Sequence, residues 1–217
     1  MTRKRYQPVL IVLIIGSLTL LASAGDANHS GLRRSVSVPA QRTSLSGYLL
    51  DVFRNAKLSG GIVIVADDCE EQPQMFPEFK GTVKEVLDRL ASMDKRLNWS
   101  ELGEQLVVRN TSSIPPVLKV TLHEFRFSRK DPLTRISSNL LGSPEVQDEI
   151  RTLHLVERGP EFGFAQFSAP STEKDNIILK PTTVLDALNS AAGDRSVWFY
   201  RQSNCERNEI SLNWPIR

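Results

Sequence analysis

The chain has 217 residues, a length that allows one domain or two small ones, and its 40% of apolar residues can form a buried core. Its formal net charge is +2, which falls to about −1 when three basic N-terminal residues are removed with the predicted leader. The charge therefore gives no support to binding of nucleic acid or acidic lipid, and we expect neither.

Residues 1–24 are predicted to form a secretory signal peptide. A basic start at 3–5 precedes a nearly unbroken apolar run at 8–21, and small residues at 22–24 make a processing site. We expect cleavage after Ala24 and a periplasmic or secreted protein, which contacts the membrane only through this segment before cleavage. The alternative is an uncleaved inner-membrane anchor, although the run is shorter than the roughly 20 residues that span a bilayer.

A small α+β domain is predicted at residues 35–110, after a disordered tether at 25–34. Its first helix is indicated by apolar residues that recur at helical spacing between 45 and 56, with Thr43 or Ser44 as the N-cap.

Three strands of this domain are predicted from local composition. Residues 35–39 form the first. Residues 62–66 are continuously apolar and rich in β-branched side chains, as in a buried strand. Residues 75–80 form a short strand, and Pro77 places it at a sheet edge.

The second helix and a hairpin complete the predicted domain. Thr82 and Glu85 have the spacing of a capping box, in which a hydroxyl and a carboxylate satisfy backbone donors at the helix start. A hairpin that turns near Gly103 is indicated by alternating apolar residues, namely Leu97, Trp99, Leu106 and Val108.

This βαββαββ order resembles the short N-terminal (STN) domain of secretins and TonB-dependent receptors. The resemblance is carried by the segments 36–41, 62–65, 81–87, 97–99 and 106–108. It implies a periplasmic module that binds proteins and has no catalytic residues or cofactor. The implied partners are the inner-membrane machinery of a secretion or pilus system, or an anti-sigma-type regulator linked to an uptake apparatus. No secretin or receptor barrel follows, so we expect the binding module alone.

The segment at 111–116 is predicted to be a linker, because its two prolines cannot continue a central strand. A second α+β domain is expected at 117–215, and the overall fold class is therefore α+β with two small lobes, each with short helices on a small mixed sheet. In this second domain, residues 118–127 predict one long strand with a bulge. Helices are predicted at 133–141 and from Pro144.

The second domain can be interpreted as a divergent copy of the first. Residues 82–92 align with residues 183–193 at a constant offset of 101, with identities at Thr82/Thr183, Val83/Val184, Leu87/Leu188 and Ala91/Ala192. Two unrelated amphipathic helices that both begin with a threonine N-cap would give the same matches. Duplication and coincidence both stay open at this point.

Cys69 and Cys205 are the only cysteines, one in each predicted domain. An oxidising envelope would allow them to pair, and closing so long a loop would stabilise the fold by roughly 4 to 5 kcal/mol in the entropy model. Two free thiols too far apart to meet are the alternative. Neither cysteine has a histidine at a metal-ligand spacing, so we predict no metal site.

No residue combination in the sequence predicts a catalytic site. His123 and Glu124 are adjacent in a predicted strand and so point to opposite faces. His154 and Glu157 could share a surface as an acid/base pair, and the candidate nucleophiles Ser137, Ser138 and Ser143 lack the sharp glycine-flanked turn of hydrolases. Aromatic residues at 162–167 and 198–200 are interpreted as core rather than as a binding platform.

The leading hypothesis is a non-enzymatic exported adaptor that docks to another envelope protein, by adding a strand to an edge or through a hydrophobic hairpin face. The candidate partner-binding residues lie in two predicted strands: Met75, Phe76, Phe79, Leu106 and Val108. The alternatives are an exported hydrolase or inhibitor with a site between the lobes, and a structural protein with no dedicated partner.

Overall fold

The computed structural model describes residues 31–68, 71–102, 105–158, 176–194, 196–205 and 208–214. Helices and strands are mixed along these segments, and the predicted α+β class is confirmed. The helices are α1 (Leu45–Asn55), α2 (Val83–Met93), α3 (Pro116–Lys119), α4 (Leu133–Leu141), α5 (Pro144–Thr152) and α6 (Val184–Ala192). The first seven strands are β1 (Ser35–Val38), β2 (Gln41–Thr43), β3 (Gly60–Ala66), β4 (Gln74–Phe76), β5 (Phe79–Thr82), β6 (Asn98–Leu102) and β7 (Gln105–Arg109). The next seven are β8 (Thr121–Leu122), β9 (Phe125–Ser128), β10 (Val156–Glu157), β11 (Asn176–Leu179), β12 (Thr182–Thr183), β13 (Val197–Ser203) and β14 (Glu209–Asn213).

One six-stranded sheet joins the two halves of the chain, in the order β10-β14-β13-β3-β7-β6. The junction is the parallel pairing of β3 with β13, which runs over seven residue pairs from Gly60 opposite Val197 to Ala66 opposite Ser203. The side chain of Gln105 adds to it by donating hydrogen bonds to the carbonyl oxygens of Asn189 (2.7 Å) and Gly193 (2.6 Å). Residues 35–110 and 117–214 therefore complete one sheet together rather than closing a sheet each.

Each face of this sheet has its own hydrophobic core, because successive side chains of a strand point to opposite faces. Ile62 and Ile64 of β3 pack into the core beneath α1 and α2, together with Leu106, Val108 and Val197. Val63, in the same strand, packs into the other core, which α4, α5 and α6 cover, together with Val107, Trp198, Tyr200 and Ile210. The uninterrupted apolar run in β3 is explained by this burial on both faces.

Every strand pairing of the first half has a counterpart in the second. The antiparallel pairs β1 with β5 and β2 with β4 correspond to β8 with β12 and β9 with β11. The parallel pair β3 with β7 corresponds to β10 with β14, and the hairpin of β6 and β7 corresponds to that of β13 and β14. The helices α5 and α6 take the places of α1 and α2.

The connections between elements repeat as well. Lys57 follows α1 and His154 follows α5, each with a φ of 52°. In both turns the following residue donates its backbone N–H to the carbonyl oxygen five residues earlier. Leu58 donates to Phe53, and Leu155 donates to Ile150. This shared turn assigns His154 a role in ending a helix.

The second half repeats the strand order of the first, beside it in the sheet, with every strand reversed in direction. β13 runs parallel to β3 and antiparallel to β14, so each strand of the second half runs opposite to its counterpart in the first. The order along the sheet is kept while the direction is reversed, which places the helices of the two halves on opposite faces.

Local signals in the sequence predict most helix starts correctly. Ser44 caps α1 by accepting the backbone N–H of Gly47 (3.1 Å), and Thr82 and Glu85 form the predicted capping box of α2. Thr183 caps α6, and Pro144 is the first residue of α5. The predicted helix at 133–141 is confirmed as α4.

Three predictions of local structure are wrong. Residues 118–127 do not form one strand, because Pro116 opens a short helix that ends at Lys119 and the chain is then split between β8 and β9. The predicted tether ends earlier than Arg34, since residues 31–33 form a 3-10 turn with Leu32 buried, and the Arg34 side chain donates to the carbonyl oxygen of Ala56 (3.3 Å). Residues 75–80 are two strands, β4 and β5, separated at Pro77.

In the part of the chain that the structure describes, no helix has the length and apolarity needed to cross a membrane. The predicted signal peptide, the aromatic residues at 162–167 and the hairpin turn at Gly103 lie outside the described residues.

Candidate docking surfaces

Four of the five predicted partner-binding side chains are in the core. Phe76, Phe79, Leu106 and Val108 are exposed by 8% or less, and β7 lies inside the sheet between β3 and β6. These four residues therefore cannot contact a partner in the folded protein, and we correct the prediction accordingly. Met75 is 66% exposed and remains a candidate.

The corresponding ribbon of the second half also has an exposed apolar residue, two residue pairs nearer to its helix than Met75 is. Met75 lies opposite Arg42 in the ribbon of β2 and β4, and Ile178 lies opposite Arg126 in the ribbon of β9 and β11. Ile178 is 49% exposed, and paired residues of antiparallel strands present their side chains on the same face. We call the pair of Arg42 with Met75 ribbon site 1 and the pair of Arg126 with Ile178 ribbon site 2.

The strand that carries Met75 is packed against α1 through the residues that follow Met75. The ring of its neighbour Phe76 stacks on Tyr48 of α1, with 4.4 Å between centroids, and the Tyr48 hydroxyl lies 3.5 Å from the carbonyl oxygen of Pro77. Burial raises the pKa of the Tyr48 hydroxyl, so this group stays protonated. Met75 is therefore an exposed side chain on an anchored strand.

Charged side chains lie near both ribbon sites. Close to site 1, the carboxylate of Glu78 accepts a hydrogen bond from Lys80 (2.7 Å), which lowers the pKa of Glu78. At site 2, Glu124 binds the side chains of Arg126 and Lys180, whose hydrogen bonds lower its pKa. An exposed apolar residue within a charged rim has the composition of a small protein-binding site.

The residues considered for catalysis have structural contacts instead. Each of the three candidate serines donates its hydroxyl to a backbone carbonyl: Ser137 to Leu133 (3.2 Å), Ser138 to Thr134 (3.0 Å) and Ser143 to Leu140 (2.7 Å). His123 is exposed and its backbone N–H donates to Glu145 (3.3 Å). His154 occupies the helix-ending turn described above, and no contact in the described part of the chain places Glu157 beside it.

Two cavities along the described residues differ in lining. One of about 230 Å³ is surrounded by carboxylates at the ends of β3 and α2, including Asp67, Asp68, Glu71 and Asp94. Burial raises the pKa of Asp94, but hydrogen bonds and charge from Arg96 outweigh it and lower the pKa overall. The other, of about 480 Å³, lies beside α1 and is mostly apolar. Among the described residues no group of three His, Cys, Asp or Glu side chains is placed to hold a metal ion.

The cysteine pairing stays a prediction, with indirect support from the sheet. Ala66 ends β3 opposite Ser203 at the end of β13, and the backbone N–H of Asn204 donates to the carbonyl of Ala66 (2.9 Å). The chain thus runs side by side in the approach to both cysteines. Cys69 itself lies outside the described residues.

No protein-family model, curated protein or solved structure matches this chain.

Proposed function

We propose that the chain is an exported adaptor without enzymatic activity, which docks to another cell-envelope protein through the two ribbon sites. The observation that carries this proposal is that each of the two corresponding ribbons has one exposed apolar residue opposite an arginine. The predicted leader supports export to the periplasm or beyond. The resemblance to the STN domain supports a partner in a secretion, pilus or uptake apparatus, or an anti-sigma-type regulator.

Two sites of similar composition on one chain allow a partner to be held twice. A partner with two copies of one segment would gain affinity from the second contact, because that contact forms at a high effective concentration. Burying a side chain of the size of Met or Ile contributes about 1.5 to 3 kcal/mol, so each site alone is expected to be weak.

The test places a photo-activatable crosslinking residue at position 75 or at position 178 in the cells that produce the protein. We expect both positions to capture the same envelope protein. Met93 is the matched control, because it is 53% exposed and apolar but lies at the end of α2, outside both ribbons. Equal capture at all three positions, or no capture at 75 and 178, would contradict the proposal.

A further inference from the structure

The proposed docking function does not use the apolar cavity beside α1. This cavity has a volume of about 480 Å³ and lies between the C-terminal part of α1, the turn that follows it and the start of β13. We propose that it binds a free fatty acid of medium chain length, with the alkyl chain inside and the carboxylate at the charged rim. The site is separate from both ribbon sites.

The arrangement of the two halves explains why the cavity is there. Val197 of β13 packs on the face of the sheet that α1 and α2 cover, whereas the helices α4, α5 and α6 cover the opposite face. Beyond β3 the flank of α1 therefore faces a strand of the second half, while the described helices of that half lie across the sheet. Leu50, Phe53 and Leu58 line the space that is left between this flank and Val197.

The interior of the cavity is apolar. Phe53 is fully buried, Leu58 is 3% exposed and Val197 is 6% exposed, while Leu50 is half-buried. A bound water needs about two to four polar partners, which these side chains do not supply. The volume lies within the range of roughly 300 to 1,000 Å³ that is typical of small-molecule sites. An alkyl chain therefore fits this interior better than water does.

Charged side chains form the rim and indicate the charge of the ligand. Lys57 and Arg54 are exposed cations, and Asp194 is the carboxylate among the described lining residues. Arg54 lies 4.0 Å from Asp51, whereas Lys57 has no ion pair within the described part of the chain. Two cations and one carboxylate give the lining a formal charge of +1. An anionic head group is therefore favoured over a cationic one.

The backbone holds Lys57 beside the cavity. This residue adopts a φ of 52° in the turn after α1, and its carbonyl oxygen accepts a hydrogen bond from the side chain of Arg34. The same guanidinium donates to the carbonyl oxygen of Ala56 (3.3 Å). The turn is thus tied to the chain that precedes β1, and the Lys57 ammonium can reach a bound carboxylate by side-chain rotation alone.

The N-terminal segment of the chain is a poor occupant. The described chain begins at Gly31, which lies against the cavity wall, since an added Cβ would be 2.9 Å from the side chain of Leu58. Between the predicted cleavage site and Gly31, no apolar side chain is larger than that of Ala27. After the predicted cleavage this segment does not supply an apolar group of the size of the cavity.

The test is isothermal titration calorimetry of the purified exported protein, after removal of bound lipid, with sodium decanoate. Decyltrimethylammonium bromide is the control ligand, because it has an alkyl chain of similar length and a cationic head. We expect one decanoate to bind per chain, and the ammonium compound to bind about tenfold more weakly because the rim repels its charge. Absence of decanoate binding, or equal affinity for both compounds, would overturn the proposal.

A substitution at the rim tests the position of the carboxylate. Lys57→Asn removes the ammonium but keeps a residue that tolerates a positive φ, and we expect about fivefold weaker decanoate binding. Lys95→Asn is the matched control, because Lys95 is also exposed in a turn after a helix, and it should leave the affinity within about twofold. Equal loss in both variants, or no loss at Lys57, contradicts the proposed orientation of the ligand.

A substitution in the wall tests the location of the alkyl chain. Leu50→Trp extends a larger side chain into the cavity from a half-buried position, and we expect an unchanged circular dichroism spectrum with at least about tenfold weaker decanoate binding. Val197→Phe fills the same space from the opposite wall and replaces Leu50→Trp if that variant does not fold. A folded, filled variant that still binds decanoate sinks the proposal. Self-association that is lost on filling does so too, since a second copy is then the occupant. Crosslinking at positions 75 and 178 does not depend on the cavity, so the two proposals fail independently.

Discussion

Gly61→Ala tests the junction between the two halves directly. The added Cβ would meet Cζ2 of Trp198 at 2.0 Å and two further ring atoms at 2.3 Å. Trp198 is fully buried, and its indole N–H donates to Asn189 (2.8 Å), so the ring cannot move aside without losing that hydrogen bond. Overpacking usually costs about 1 to 3 kcal/mol, and we expect a loss near the upper end, about 3 kcal/mol.

The assay is urea unfolding followed by circular dichroism and fluorescence, with a double-mutant cycle against Trp198→Phe. That single change removes ring volume and the bond to Asn189 and should cost about 2 kcal/mol. In the double variant the smaller ring relieves part of the clash, so the losses should fall short of additivity by about 1 to 2 kcal/mol.

Gly142→Ala is the control for this prediction, since its Cβ would lie 3.0 Å from the carbonyl oxygen of Ser138 and needs only a small adjustment. We expect this control to change stability by less than about 1 kcal/mol. Because one sheet spans both halves, unfolding should be a single transition. Additive losses for Gly61 and Trp198, or two separate transitions, would refute the description of the junction.

Three further predictions concern caps, pH and the cysteines. Thr82→Ala and Thr183→Ala should each destabilise the protein by about 1 kcal/mol in urea unfolding, since each hydroxyl caps the equivalent helix of its half; an effect at only one position would contradict that equivalence. The backbone N–H of Thr82 lowers the pKa of Glu85, so this carboxylate stabilises the fold above its ordinary pKa and loses that effect as the pH falls below about 4.5. Glu85→Gln should therefore flatten the loss of stability measured during acid titration, and an unchanged slope would disprove it. Mass spectrometry of the exported protein without reductant should find Cys69 and Cys205 joined, and a free thiol at either position would refute the pairing.

Short-range patterns in the sequence were sufficient to predict most elements of the first half. Helix starts depend on one or two side chains near the N-cap, as at Ser44 and Thr82, and strand alternation depends on neighbours two residues apart. These signals are contained within a few residues, and the structure follows them. They fail at Pro116, because the apolar residues that follow it predict a strand but pack from a short helix.

The pairing of β3 with β13 could not be predicted from such patterns, because it joins residues more than 130 positions apart. One clue was present: residues 62–65 are apolar without interruption, as in strands that are covered on both faces. That run indicates a central parallel strand, but it does not identify the neighbour. The neighbour is specified by the fit of Gly61 against Trp198, which is visible only in three dimensions.

The ribbon sites show why docking residues are harder to find than helices. In an alternating strand, an apolar residue at the surface and one in the core look alike, so Met75 and Phe76 were equal candidates although the structure exposes one and buries the other. The strand pairings keep the offset of 101 along both ribbons, so Asn176 takes the position of Met75 and Ile178 lies two residues nearer to its helix. Exposure of an apolar residue opposite an arginine on both ribbons is a stronger reason to test the two positions than apolar character at either one.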